Sequence, residues 1–144
     1  MERHGVLGIE ARPKVTGKRG IQIFVPVTPG EYSFDDTRAW VEKLSKTIGR
    51  LVKDKVSWAW EKKDRKGLAR LDYTQNAINK TLVAPYSTRP APGAPVSVPL
   101  EWDEIDDPDL RPDRWTIQTA FDRLAENGDP LAPLIGMRQD LPAL

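Results

Sequence analysis

Arg70-Leu71-Asp72-Tyr73-Thr74-Gln75-Asn76 stands at the centre of the stretch 65–89, around which the rest of the chain is arranged. Leu68, Ala69 and Leu71 form a short apolar run that ends on one carboxylate, and a polar cluster follows. The pattern predicts a buried strand that delivers Asp72 at its end, a common way to hold a metal ion or a phosphate-bearing substrate. Thr81-Leu82-Val83-Ala84-Pro85-Tyr86-Ser87-Thr88-Arg89 then carries the chain to a single arginine.

Working outward, 144 residues suffice for one domain with one core. A hydrophobic fraction of 39% and a charged fraction of 30% suit a soluble protein with a wet surface. No run of eighteen apolar residues occurs, so neither a transmembrane helix nor membrane association is expected, and the N-terminus lacks a signal-peptide core. Cysteine is absent, which excludes disulfides and thiolate metal sites and makes a cytoplasmic setting the expectation. The net charge of +1 conceals an asymmetry. Residues 1–99 hold 18 Lys and Arg against 10 Asp and Glu, whereas residues 100–144 hold 4 against 11. A basic body suits a polyanionic partner through counterion release, and it equally suits a solvated surface that segregates charge.

His4, the only histidine, is expected to be exposed, since a metal site needs several convergent donors. Lys14-Val15-Thr16-Gly17-Lys18-Arg19-Gly20 leads into Ile21-Gln22-Ile23-Phe24-Val25-Pro26, whose alternation predicts a strand. Two glycines, a hydroxyl and two cations within five residues could cradle an anion on backbone N–H groups, or could simply form a basic β-turn. The Walker A spacing is absent.

Ser33 with Asp36 three residues on gives a capping box, and Trp40, Val41, Leu44, Ile48, Leu51 and Val52 recur at helical spacing. A helix over 35–53 with its stripe in the core is predicted. The segment 56–63, with Trp58 and Trp60, fits a short helix or a strand. Lys62, Lys63, Arg65, Lys66 and Arg70 surround these tryptophans with cations. Such a mixture can bind nucleic acid by stacking and phosphate contact, although the tryptophans could equally be structural. After a proline-rich connector, Val96-Ser97-Val98-Pro99-Leu100 suggests an edge strand, and Trp102 anchors an acidic loop. Thr116 is placed as the cap of a second helix bearing Ile117, Ala120, Phe121 and Leu124, stopped at Gly128, and the tail to Leu144 packs back on the body. Together these elements predict an α+β layer, an antiparallel sheet with packed helices.

The motifs resemble the polymerase (primase-polymerase) domain of bacterial DNA ligase D, in the archaeo-eukaryotic primase superfamily. Thr16-Gly17-Lys18-Arg19-Gly20-Ile21-Gln22 is similar to the second motif of that family, and Arg70-Leu71-Asp72-Tyr73 to the third. Val83-Ala84-Pro85-Tyr86-Ser87-Thr88-Arg89 and Gly93-Ala94-Pro95-Val96-Ser97-Val98-Pro99-Leu100-Glu101-Trp102-Asp103-Glu104 carry the most specific likeness, and the run from Trp115 to Pro142 also fits. The resemblance implies an RRM-like, primase-type sheet, and a single partial domain over 1–144, incomplete relative to the full one. Thr16 and Arg19 would then hold the triphosphate of an incoming NTP or dNTP, Arg89 would contact the same phosphates, and Gln75 would line the nucleotide pocket. Asp72 would bind a catalytic divalent metal, Mn or Mg. The implied activity is nucleotide addition to DNA ends in non-homologous end joining, with a ligase domain and a Ku-type end-binding protein as partners.

Two departures bear on activity. Gln22 stands where the family usually has histidine, and an amide cannot carry positive charge. The first motif of the family, an aspartate pair spaced D-x-D, is not found ahead of the glycine loop; Asp107-Pro108-Asp109 has the spacing but lies on the wrong side, in an expected surface loop. Three readings stay open: a truncated polymerase domain inactive alone, a nucleotide- or DNA-end-binding remnant, and a subunit whose partner completes the metal site.

Overall fold

The structure is a computed structural model that describes residues 7–144, so His4 lies outside it. Its elements run β1 (Arg12–Val15), β2 (Ile21–Phe24), α1 (Phe34–Leu51) and α2 (Ala120–Asn127), with short 3-10 turns at Lys62–Arg65, Trp102–Asp106 and Ala132–Leu134. Strands and helices share one α+β fold, as the sequence predicts. The chain divides into two compact units: the described part of Met1–Thr28 with Val83–Asp140, and Pro29–Leu82 with Leu141–Leu144.

In the first unit β1 and β2 pair antiparallel, with Lys14 opposite Gln22 and Val15 opposite Ile21. The segment 95–100 is buried along its whole length. It lies between two neighbours. On one side the Val15 amide donates to the Val98 carbonyl at 2.9 Å and the Leu100 amide to Pro13 at 2.9 Å. On the other, the Tyr86 amide donates to Ser97 at 2.6 Å and the Ser97 amide to Ser87 at 2.9 Å. The expected edge strand at 96–100 is therefore the centre of the unit. Pro95 and Pro99 have no N–H to give, so the ladder breaks into isolated bridges at Lys14–Pro99 and Thr88–Val96. Val15, Val96, Val98, Leu100, Trp115 and Ala120 make the core, with Tyr86, Ile105 and Leu110 against it.

Charged groups tie the loops to this core. Arg123 grips Glu104 through both terminal nitrogens at 2.6 and 2.7 Å, donates to the Pro99 carbonyl at 3.0 Å, and lies over the Trp115 ring. Trp102 anchors its loop as expected, its indole N–H donating to the Ala11 carbonyl at 2.7 Å. The tail also packs back: the Gln139 amide accepts from Glu10 N–H at 2.6 Å and donates to the carbonyls of Glu10 and Pro26. Asp107-Pro108-Asp109 is a surface loop, with the Asp107 carboxylate occupied by Arg114.

α2 is shorter than expected. The Thr116 carbonyl accepts from both Thr119 and Ala120 in a turn, so the helix starts at Ala120; Ile117 and Phe121 are exposed. Gly128 ends it with φ +71, the left-handed backbone that glycine adopts without a Cβ clash.

In the second unit α1 begins with the predicted capping box: Ser33 accepts from the Asp36 amide at 3.2 Å, and Asp36 accepts from the Ser33 amide at 2.9 Å. The prediction of a core stripe fails. Trp40, Val41, Leu44 and Val52 are half-buried, Ile48 and Leu51 are exposed, and only Gly49 is buried. The cover within this unit is narrow: the Trp58 ring lies on Gly49, and the Trp40 indole donates to the Pro142 carbonyl at 2.8 Å. The segment 56–61 is neither helix nor strand, and Lys62 and Lys63 open the 3-10 turn. A single parallel bridge, Val56 to Ala69, closes the stretch that contains the 3-10 turn at Lys62–Arg65.

Candidate functional site

The loop between β1 and β2 is shaped by its own side chains. The Thr16 amide donates to the Gly20 carbonyl at 2.9 Å, and the Thr16 hydroxyl oxygen accepts from the amides of Gly20 at 3.1 Å and Lys18 at 3.3 Å. With its oxygen serving as acceptor twice, the Thr16 hydroxyl retains its hydrogen to donate outward. Gly17 turns the loop at φ +73. A Cβ there would stand 2.6 Å from Arg89 Cγ and 3.1 Å from the Val96 carbonyl carbon, so only glycine lets the loop close on the Arg89 stem. Thr16 and Arg89 are thus brought to one place in the first unit. Arg19 is exposed on the same loop.

Arg89 is half-buried, its Nε is enclosed without a hydrogen-bond partner, and its guanidinium meets no acid among the described residues. A planar five-donor cation held this way is suited to phosphate oxygens. Beside it lies a group that the motif comparison did not single out. Lys14 is fully buried at 0% exposure, and its ammonium donates to Ser97 Oγ at 2.5 Å and to the Val83 carbonyl at 3.0 Å. Ser97 Oγ in turn donates to the Val15 carbonyl at 2.8 Å. Burial, with the Arg89 charge adding to it, pushes the Lys14 ammonium down to about 8. The sequence signal for Lys14 was its place in β1 one residue before a core valine, where a cation can persist only with partners. Gln22, across the ladder from Lys14, has its amide oxygen buried and without a partner.

Asp72 and Gln75 belong to the second unit. The predicted buried strand at 68–72 does not form. Leu68, Ala69 and Asp72 are exposed, and Ala69 alone makes a bridge. Instead Asp72 opens an Asx turn, accepting from the Thr74 amide at 3.0 Å and the Thr74 hydroxyl at 2.6 Å. The local polar run wins because a side-chain oxygen two residues back satisfies these donors without any neighbouring strand. Partial burial raises the Asp72 carboxyl, but the Thr74 hydrogen bonds, Arg70 and Gln75 pull it the other way, and the net result lies below the usual range. Asp72 is therefore a carboxylate at neutral pH, ready to serve as a cation ligand. Among the described residues no group of three His, Cys, Asp or Glu could hold a metal ion. The residues present do not by themselves fit a two-metal site.

A separate pocket of about 430 Å³ in the first unit is lined by Phe24, Pro85, Leu131, Leu134 and Ile135, with the Tyr86 hydroxyl donating to Asp129 at 2.7 Å. It contains none of the residues picked from the sequence. Among the described residues no helix is long and apolar enough to cross a membrane.

Comparison with known proteins gives a consistent picture. The family model described as LigD, primase-polymerase domain, matches residues 2–131. The bifunctional non-homologous end joining protein LigD of Bacillus subtilis is 32% identical over 135 residues, covering 94% of this chain and 22% of its own length. The multifunctional LigD of Mycolicibacterium smegmatis is 34% identical over 128 residues, or 89% of this chain and 16% of its own. The polymerase domain from Mycobacterium tuberculosis ligase D, solved in complex with DNA, superposes with a TM-score of 0.81 at 27% identity, over 94% of this chain and 45% of that one. The chain spans about a fifth or less of the length of these curated relatives and under half of the solved domain. On the match across residues 2–131, the chain belongs to the LigD primase-polymerase domain family.

Proposed function

We propose that this chain supplies the nucleotide-binding side of a DNA-end-extending nucleotidyltransferase of non-homologous end joining. The observation that carries this reading is Arg89, whose guanidinium meets no acid among the described residues and whose stem is locked against the Gly17 turn, with the Thr16 hydroxyl on the same loop. In the first unit Thr16, Arg19 and Arg89 hold the triphosphate of an NTP or dNTP. Thr16 donates one hydrogen bond, Arg19 adds charge, and Arg89 supplies the fork. The buried Lys14 adds a second positive centre beside Arg89. In the second unit Asp72 is one ligand of a divalent ion, Mn or Mg, and Gln75, which helps hold the Asp72 carboxylate, contacts the nucleotide. Such an ion stabilises developing charge on the phosphates during transfer. The other carboxylates come from outside these residues, either further along a longer polypeptide or from a partner subunit. DNA ends, a ligase domain and a Ku-type end-binding protein are the partners of that larger assembly.

The test is nucleotide binding by the 144-residue chain itself. Isothermal titration with a non-hydrolysable triphosphate should give measurable affinity, and Arg89→Ala should weaken it about tenfold, the scale of one lost charge-assisted pair. Equal affinity in wild type and Arg89→Ala would remove the phosphate role. The lack of a three-ligand metal cluster among the described residues favours one other reading, a remnant that binds nucleotide without transferring it. A longer chain carrying the additional carboxylates decides between them by whether nucleotide is incorporated.

A further inference from the structure

The two tryptophans of the 56–69 excursion have different fates. Trp58 is structural: its ring lies where a Cβ on Gly49 would sit, at 2.5 Å, and it meets Tyr73 at 6.4 Å between centroids. Trp60 is 67% exposed. Its ring is backed by Arg70, whose guanidinium carbon stands 4.4 Å from the ring centroid. The backbone under it is pinned. Arg65 donates to the carbonyls of Ala59 at 3.0 Å and Trp60 at 2.6 Å, and the neck is closed by the Ser57 amide on Ala69 at 2.8 Å and the Ala69 amide on Lys55 at 3.0 Å. Lys62, Lys63 and Lys66 follow, all exposed, so that 61–70 holds five cations against two acids.

An exposed indole is unfavourable in water, and here it is held in place rather than tucked away. A cation stacked on one face leaves the other face for a second flat partner. Lysines within three residues supply the counter-charge for a phosphate backbone. Nucleobases offer a π-face whatever their sequence, and each stacked base is flanked by a phosphate. An acidic peptide would use the lysines and leave the ring idle.

We propose that Trp60, backed by Arg70 and flanked by Lys62 and Lys63, is a stacking platform for single-stranded DNA, the form of a resected or frayed end. The choice of DNA rests on the end-joining reading above; the platform itself does not depend on Arg89 or Asp72. Fluorescence anisotropy of a labelled oligo-dT against the full chain tests it. Trp60→Ala should weaken binding roughly tenfold and Trp60→Phe much less, with the circular dichroism spectrum unchanged because the ring is exposed. Replacing Lys62 and Lys63 together by alanine should make the salt dependence of log K shallower by about 1.4, two single-strand phosphate contacts. Trp60→Ala binding as well as wild type, or duplex competing as effectively as single strand, would overturn the proposal. If oligo-dT binding responds to Trp60 while no triphosphate binding is found, the platform stands and the nucleotide-site reading falls.

Discussion

Gly17 shows how one residue can carry two requirements at once. Its φ of +73 makes the turn between β1 and β2, and its missing Cβ leaves room for the Arg89 stem. Gly17→Ala meets both costs: left-handed strain of about 1 kcal/mol and a backbone contact that cannot yield. The expected outcome is a midpoint lowered by several degrees in thermal unfolding, together with loss of triphosphate affinity at least equal to that of Arg89→Ala. Retained affinity would mean that the turn and Arg89 are independent. Asp72 teaches the opposite lesson. Its identity as a lone carboxylate was plain in the sequence, but its surroundings were misjudged. Leu68 and Ala69 suggested burial, yet the Thr74 donors two residues on made a turn and left the acid exposed. Three apolar residues are too short a run to distinguish a strand from a loop that merely touches one.

Among the elements, β1 depends on a buried ammonium. Lys14 joins β1 to the 95–100 segment through Ser97 and reaches the 83–89 segment through the Val83 carbonyl. Because its folded-state value is depressed to about 8 from 10.5, the unfolded chain binds more protons between those values. Lys14 therefore adds stability as pH rises through that window and opposes folding below it. Lys14→Met should abolish this pH-linked gain, measured as the difference from wild type in denaturant midpoints at pH 7.5 and pH 10. A wild-type-minus-variant difference that stays constant over this window would contradict the assignment. α1 was the most legible element, since capping and periodicity are local; its boundaries agree within two residues at each end. What α1 packs against was not legible, and its stripe turned out half-buried. The segment 96–100, expected as an edge strand because prolines usually signal edges, is instead a buried segment joined to its neighbours by isolated bridges and single backbone hydrogen bonds.

For the molecule as a whole, the proposed chemistry turns on which acids hold the metal. The described residues offer no cluster of three metal-ligating groups. The expectation is that these 144 residues bind triphosphate but add no nucleotide to a DNA end. A longer polypeptide that restores the carboxylates should extend a primer with Mn or Mg, and Asp72→Ala in that context should abolish extension without altering the circular dichroism spectrum. Extension by the Asp72→Ala protein would show that the metal is held elsewhere. The exposed position of Asp72 makes this substitution structurally mild, so lost activity reports chemistry rather than folding.

The sequence by itself determined the family, the α+β class and the capped helix, and named Thr16, Arg19, Asp72, Gln75 and Arg89 as candidates, because motifs and periodicities are written in residues close along the chain. Only the tertiary structure decided that Gly17 seats Arg89, that Lys14 is buried beside it, that Trp58 covers Gly49 while Trp60, 67% exposed, meets Arg70, and that Asp72 sits in a turn. Each of these depends on contacts between segments far apart in sequence or on the competition between local hydrogen bonds and packing, and a residue's spacing along the chain carries neither.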